Sequence, residues 1–546
     1  MWTLCLFALL TVVASDTERS GCVYYERSSG SYSFKSGVDS AAVACATLVD
    51  EISTTGWSYL KVVTNENYDD YVQAFAAGYV ESYLTFELIH NHWLNTQSQY
   101  CNKPSEYCSK LSDFLDKQEQ YIQGELDRCE ATDSYWHQIG LALTQLNGII
   151  EGYGNATNGM DGYEISRRGF LLLNIGGDLE DLETALGAPS EESSRVVGGG
   201  SCSALIKFLP DMSDVFVGHD TWTDFTTMLR IYKLYNFSFH AFNGGTNDFI
   251  PGHQVSFSSY PATIYSGDDF YILSSHLVTI ETTIGNSNDK LWHFVQPVGQ
   301  VLEWLRNIVA NRLANTGEEW CKLFARYNSG TYNNEWMIVD YKQFVPGHKV
   351  QSDTLWVLEQ IPGYVEYHDM SHVLNEKGYW ASYNAAAFPD VANMSGIPQL
   401  VAKYGDWFTH DKTPRALIFA RNQTDITDMT SMYKLMRYNN FKDDPLSRCD
   451  CNPPYSSENA ISARSDLNPK NGTYQFGALG LRNHGGTDSK ITSFSMSKTL
   501  SCLAVSGPTH DQQPVFQWST SPFSNVTHLG MPDRWDFDAV TIHWEG

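Results

Sequence analysis

The sequence predicts an α+β fold in which a largely helical N-terminal portion precedes a mixture of strands and helices. Three observations point to this. Between residues 68 and 151, apolar side chains recur at the three- and four-residue spacing of helices with one buried face. From residue 202 onward, short apolar runs bounded by turn residues take over. Between the two lies GAPSEESSRVVGGGS (187–201), which is small, polar and Gly-rich and reads as an exposed, mobile linker. Helices followed by mixed sheet and helix imply layers packed around a shared core.

Taken in order, residues 1–15 (MWTLCLFALLTVVAS) read as a secretory signal peptide. The apolar run is too short to span a bilayer and ends in small residues, although the usual basic start is missing. Residues 36–60 are expected to be helical. In 68–90, Val72, Phe75, Ala76, Tyr79, Tyr83 and Phe86 share one helical face, and 109–128 and 133–151 follow the same rule. After the linker, CSALIKFLP (202–210) and DVFVGHDTW (214–222) are strand candidates separated by the turn segment 210–213. Further strands are expected at 270–283, 335–344, 354–360 and 416–421, with a helix at 291–314.

Composition narrows the function. The chain of 546 residues is 42% hydrophobic, enough for a real core, which excludes global disorder. With 36 basic against 63 acidic residues and a formal charge of −27, it is no nucleic-acid binder, since that footprint is basic. No stretch after the leader has the length of apolar sequence that spans a membrane, so no transmembrane anchor is expected. Sequons at Asn155, Asn236, Asn393, Asn422, Asn471 and Asn525, behind a signal peptide, point to glycosylation and to a secreted or lysosomal lumen. Ten cysteines remain after the leader, in an oxidising compartment. Cys101 and Cys108 bracket a short loop and can pair. Cys449 and Cys451 are too close for an easy mutual bridge, so one of them is expected to reach Cys502.

No G-x-S-x-G elbow, H-E-x-x-H or phosphate-binding loop occurs. His90 with His92, and His368 with His372, are the nearest approach to metal spacing. They lack companion ligands, so neither metal nor cofactor is expected. The informative segment is Gly198-Gly199-Gly200-Ser201-Cys202-Ser203. A Gly run lets the backbone come close to a nucleophile. If the Ser201–Cys202 bond is cut, Cys202 carries both a thiol and a free α-amine, whose pKa of about 7.7–8.0 suits a base near neutrality. The same thiol can make the cut by attacking the Ser201 carbonyl. A plain loop-to-strand junction is the alternative.

AAGYVESYLT (76–85), CSALIK (202–207), VGHDTW (217–222), GTYNNEWMIVDYKQF (330–344), WVLEQIPG (356–363), RSDLN (464–468), NHGGTDSKI (483–491) and HLGMPDRWDF (528–537) together resemble the phospholipase B-like, or lamina ancestor, family of N-terminal nucleophile hydrolases. The resemblance covers essentially the whole chain after the leader. It implies a four-layer αββα sandwich and a precursor cut before Cys202. The N-terminal fragment (16–201) and the C-terminal fragment (202–546) would then stay together as one globular unit. By the same resemblance Cys202 is the nucleophile, and His219 and Trp222 line the site. His219 is read as an orienting or proton-shuttling group with an ordinary pKa near 6.5. Thr282 or Thr283 is expected to hydrogen-bond the nucleophile or its amine. Asn384 is the candidate oxyanion donor, and Arg415 a binder of anionic groups or a charge balance. Asp220 is read as a turn or orienting carboxylate. The implied activity is acyl hydrolysis of phospholipids or lysophospholipids through a thioester. The alternatives are an amidase acting on lipid amides or small peptides, and a non-catalytic lumenal glycoprotein that keeps the fold.

Overall fold

A computed structural model describes residues 18–189, 196–197, 199, 201–242 and 248–544. The expected signal peptide (1–15) and most of the expected linker lie outside the described residues. The strands, in chain order, are β1 (Glu18–Glu26), β2 (Ser31–Ser36), β3 (Ala44–Glu51), β4 (Trp57–Thr64), β5 (Cys202–Phe208), β6 (Val215–Asp224), β7 (Ile231–Asn236), β8 (Gln254–Ser259), β9 (Phe270–Leu273) and β10 (Leu277–Thr283). There follow β11 (Asn334–Asp340), β12 (Leu355–Ile361), β13 (Tyr364–Asp369), β14 (Tyr379–Ser382), β15 (His484–Gly486), β16 (Asp488–Thr492), β17 (Cys502–Ser506), β18 (Phe516–Gln517), β19 (Arg534–Trp535) and β20 (Val540–Ile542). The helices are α1 (Ile52–Thr55), α2 (Asp70–Thr96), α3 (Glu106–Cys129), α4 (Ser134–Ala156), α5 (Arg167–Asn174), α6 (Gly176–Leu186), α7 (Glu303–Leu313) and α8 (Gly317–Ala325). They continue with α9 (Ser371–Lys377), α10 (Pro389–Met394), α11 (Ile397–Tyr404), α12 (Pro414–Asn422), α13 (Met429–Met436) and α14 (Phe494–Ser497).

One sheet runs β13-β12-β11-β10-β9-β8-β7-β4-β3-β1-β2, antiparallel except where β4 meets β7. The second runs β14-β5-β6-β16-β17-β20, with β15 also on β6. They pack face to face. Ala204, Ile206, Val215 and Val217 of the second sheet share a core with Phe270, Ile280, Met337 and Val357 of the first. Against the outer face of the first sheet lie α2 and α8, through Ala74, Ala77, Trp320 and Phe324. Against the outer face of the second lie α12 and α13, through Ile418, Phe419, Met432 and Met436. The molecule is therefore α+β, with residues from both sides of the linker in the same cores.

The long helices fall where the periodicity placed them. Their ends are set by caps: the side chains of Asp69, Ser105 and Asp133 accept from the backbone N–H of Tyr71, Cys108 and Tyr135. α2 and α4 touch backbone to backbone. A Cβ on Gly148 would lie 2.0 Å from the Phe75 carbonyl oxygen, and one on Gly78 2.0 Å from that of Gln145. Gly148→Ala is therefore expected to force the helices apart and lower stability by about 1–3 kcal/mol, read as an earlier transition in calorimetry. An unchanged transition would contradict the close contact.

Several expectations need correction. Residues 36–60 are not helical; they hold all of β3, the single turn α1 and part of β4. The buried residues Ala44, Ala46 and Leu48 alternate with less buried neighbours, a period of two that the eye reads as helix in a short segment. The first fragment thus opens with four strands, the single turn α1 between the third and fourth, before its long helices. Residues 416–421 are not a strand but part of α12, which Pro414 starts at its first position and whose Arg415, Ile418 and Phe419 share a buried face. The stretch 270–283 is two strands joined by a turn in which His276 has φ 61°. The helix expected from 291 begins only at Glu303, after a 3₁₀ turn at Asp289–Phe294.

Cys101 pairs with Cys108, and Cys22 with Cys45 across neighbouring strands. The expected link from Cys449 or Cys451 to Cys502 is absent. Cys449 and Cys451 bond to each other with Cα atoms 5.3 Å apart, inside the range a bridge tolerates. Cys502 is a free thiol on the inner face of β17, its sulfur 3.1 Å from the Tyr232 hydroxyl. Asn155, Asn393, Asn471 and Asn525 are exposed, and Asn236 and Asn422 partly so. Among the described residues no helix is long and apolar enough to cross a membrane.

Glu335 and Glu359 stand opposite each other on β11 and β12, both fully buried. Glu359 accepts from the Ala387 and Phe388 N–H groups, and Glu335 from the Trp380 indole at 2.8 Å. Burial pushes Glu335 up to about 7. A carboxyl raised by folding contributes stability below its unfolded pKa and loses it as pH rises through the folded value. Relative to Glu335→Gln, the protein should therefore lose stability between about pH 4.5 and 7, measured by denaturant melts. A pH-independent difference would contradict a protonated pair.

Candidate active site

Cys202 opens β5 and is 2% exposed. The register pairs Cys202 with Thr221 and Ala204 with His219, so all four face the space between the sheets. The next strand continues that row, since Lys490 pairs with His219. Ser203, Asp220 and Trp222 point the other way, towards α12.

The bond ahead of Cys202 is gripped from several sides. The Ser201 carbonyl oxygen accepts from the Trp222 N–H at 2.5 Å. The Ser201 N–H donates to Asn384 Oδ1 at 3.2 Å. Arg415 donates from Nη1 to the Cys202 carbonyl at 2.6 Å and from Nη2 to Asn384 Oδ1 at 2.8 Å, and its guanidinium stacks over Trp222 at 4.2 Å. Burial pushes Arg415 down to about 10, which still leaves it charged. Asn384 has φ 65°, a left-handed conformation that Asn tolerates well. Its amide donates to the Thr283 carbonyl at 2.7 Å, which uses one of two N–H hydrogens.

The remaining expected residues take distinct places. His219 is fully buried, its Nε2 lies 2.8 Å from the Glu281 carbonyl oxygen, and it must therefore donate there. Burial, with Lys490 beside it, pushes its pKa down to about 3, so the ordinary titration expected from sequence does not occur. It is a neutral, oriented imidazole. The Thr282 hydroxyl pairs with Ser382. The Thr283 hydroxyl is buried without a partner and faces the cavity, which makes Thr283 the available one of the two. Asp220 is not at a turn. It is mid-strand and fully buried, and burial raises it well above the usual carboxylate range. His368 lies on β13 and His372 on α9, so the spacing that suggested one helix face is split between two elements. Among the described residues no group of three or more ligating side chains could hold a metal ion.

A buried charge cluster was not anticipated from the sequence. Lys490 donates to the Thr221 hydroxyl at 2.7 Å and to Asp488 at 2.5 Å, and Arg230 bridges Asp488 and Asp268. All four charged groups are fully buried. Burial alone would raise Asp488, but Arg230 and Lys490 hold it below the carboxylate range. The alternation Asp488, Lys490 in NHGGTDSKI puts both on one strand face, but nothing local in the sequence says that this face is covered. Burial raises the Cys202 thiol well above its usual value, with Glu281 and Asp269 adding to the effect and the Trp222 N–H and Lys490 opposing it. In the uncut chain the thiol is thus held protonated.

A cavity of about 420 Å³ opens at this point, lined by Ser201, Trp222, Thr283, Asn384, Arg415 and His484 among others. Ser201, not Cys202, forms its wall, so the nucleophile candidate lies behind the peptide that would be removed. His484 has an unpartnered, buried Nδ1, and burial with Arg482 and Arg415 nearby keeps it neutral. The arrangement brings together a thiol, donors aimed at a carbonyl oxygen and a fixed cation, which is the equipment of acyl transfer.

The chain is similar to known proteins over nearly its whole length. The family model described as Phospholipase B matches residues 44–542. The human protein named "Putative phospholipase B-like 2" is 51% identical over 532 residues, covering 96% of this chain and 90% of its own. "Phospholipase B-like protein B" of Dictyostelium discoideum is 41% identical over 522 residues, covering 94% of this chain and 87% of its own. Matches of this extent and identity place the chain in the phospholipase B family.

Proposed function

We propose that this protein is an acyl hydrolase of the N-terminal nucleophile type, acting on phospholipids or lysophospholipids in a secreted or lysosomal lumen after cutting itself between Ser201 and Cys202. The observation that carries the reading is the Ser201 carbonyl, held by the Trp222 N–H at 2.5 Å beside the thiol that would attack it. In self-cleavage, the Cys202 sulfur adds to the Ser201 carbonyl carbon, and Trp222 N–H stabilises the oxyanion. The C–N bond breaks and the nitrogen takes the thiol proton, becoming the α-amine. Water then hydrolyses the thioester, leaving a Ser201 carboxylate and a free thiol.

The cut changes the electrostatics. A cationic amine on the same residue lowers the thiol pKa, opposing the burial that raised it. Departure of Ser201 leaves the Trp222 N–H unpaired and open to the cavity. Together with the spare hydrogen of the Asn384 amide, it forms an oxyanion hole for substrate. The thiolate adds to the ester carbonyl, the leaving alcohol takes a proton from the ammonium, and water releases the fatty acid. Arg415 fixes the Cys202 carbonyl and Asn384 in place. His219 orients the strand pair as a neutral donor. The cores shared across the linker favour two fragments that stay together as a sandwich of helices on two sheets, and the three disulfides among the described residues favour an oxidising compartment.

The test is fatty-acid release from phospholipids, lysophospholipids and N-acyl amides by the processed protein. Release from the esters is expected. Cleavage of the amides alone would replace this reading with the amidase one, and inertness towards every acyl compound would favour a non-catalytic glycoprotein.

A further inference from the structure

The cavity beside Ser201 is lined by both polar and apolar side chains. The apolar part of the lining comes from α11 and an aromatic cluster. α11 carries Ile397, Leu400, Val401 and Tyr404 at the spacing of one helical face, yet none of its residues is buried. Leu400, Val401 and Tyr404 pack, partly buried, on the small core of Phe408, Phe476, Ala478 and Leu479. Here Ile397 and Leu400 face the cavity beside Trp407 and Phe408. Behind them Phe476 closes the cup, its ring centroid 4.8 Å from that of Trp407 and 5.2 Å from that of Phe408.

One side chain of the N-terminal fragment occupies this cup. Val196 packs against the cluster of Phe408, Phe476, Ala478 and Leu479, and a Cβ on Gly477 would lie 2.9 Å from its Cγ1. The backbone is tied there: the Val197 carbonyl accepts from the Ala478 N–H at 3.3 Å, and the Val196 carbonyl from the Gly199 N–H at 2.8 Å. Val196, Val197, Gly199 and Ser201 line the same cavity. A segment lying upstream of the scissile bond is thus seated on an apolar surface that opens onto the scissile carbonyl.

Resting on the acyl-hydrolase reading above, we propose that the cup formed by Ile397, Leu400, Trp407, Phe408 and Phe476 binds the aliphatic acyl chain of the substrate, and that Val196 holds its place until the chain is cut. While the chain is whole, Val196 is delivered by its own tether and competes at high effective concentration. Cutting after Ser201 releases one end of that tether. An acyl chain can then displace a single valine side chain, because each buried methylene favours binding about fourfold. The aromatic walls suit an unbranched chain and carry no charge, while Arg482 and His484, which also line the cavity, suit the polar part of the substrate.

Two measurements test this. With processed protein and p-nitrophenyl esters of two to twelve acyl carbons, kcat/KM is expected to climb with chain length. Leu400→Ser should lower the dodecanoyl-to-acetyl ratio of kcat/KM at least tenfold. The second measurement needs no hydrolysis: calorimetric binding of dodecanoate to processed protein, to uncut Cys202→Ala, and to uncut Cys202→Ala carrying Val196→Gly. The processed form should bind at least tenfold more tightly than uncut Cys202→Ala, and Val196→Gly should restore binding. Active protein whose chain-length profile is unmoved by Leu400→Ser overturns the cup and leaves the hydrolase reading intact. So does equal dodecanoate affinity before and after the cut. No turnover of any ester, with the calorimetric differences present, overturns the hydrolase reading and leaves the cup.

Discussion

Cys202→Ala is expected to leave the chain in one piece and to reduce fatty-acid release to the uncatalysed level, a loss of at least about a thousandfold. Two steps depend on the same sulfur: the cut that creates the amine, and the acyl transfer that follows. The side chain is 2% exposed, between Thr221 and the inter-sheet core, and alanine fits there without opening a large cavity. The variant should fold and melt close to the parent, so lost activity cannot be traced to lost structure. A denaturing gel and a lysophospholipid assay check both halves. Normal cutting in Cys202→Ala would assign the cut to a separate protease.

Asn384→Gly is expected to lower kcat by about 10²–10³-fold, the cost of removing one oxyanion donor, with a smaller effect on KM. Glycine is the right replacement because φ is 65° at this position, where a Cβ without the Asn side chain is strained. The same amide oxygen receives Arg415 and the Ser201 N–H, so self-cleavage should slow as well. Pulse–chase gels and steady-state kinetics read the two effects. Unchanged kcat in fully processed Asn384→Gly would remove Asn384 from the oxyanion hole and leave the Trp222 N–H to act alone.

The parts of the fold that were legible in the sequence are those with a long, unambiguous period. Helices α2, α3 and α4 show one apolar face over several turns, and β5 and β6 are short apolar runs bounded by turn residues. The opening strands were missed because Ala44, Ala46 and Leu48 are too few and too small to declare a period of two. The run 416–421 was misread because a short apolar segment fits either structure, and only the position of Pro414 separates them. At the site, Cys202, Asn384 and Arg415 were reachable through the segments that hold them. The cluster of Lys490, Asp488, Arg230 and Asp268 was not. A charged residue on a strand normally marks the solvent face, and nothing local reveals that a second sheet covers it. The titration expected of His219 does not occur for the same reason: burial, not residue type, sets it.

The account rests on the claim that this chain becomes a hydrolase when Cys202 becomes a free N-terminus. Mass mapping and N-terminal sequencing of the mature protein, taken alongside its rate of fatty-acid release, test that most directly. The expected result is a fragment beginning at Cys202, with activity rising in proportion to its amount. Full turnover by protein in which the Ser201–Cys202 peptide is intact would contradict it.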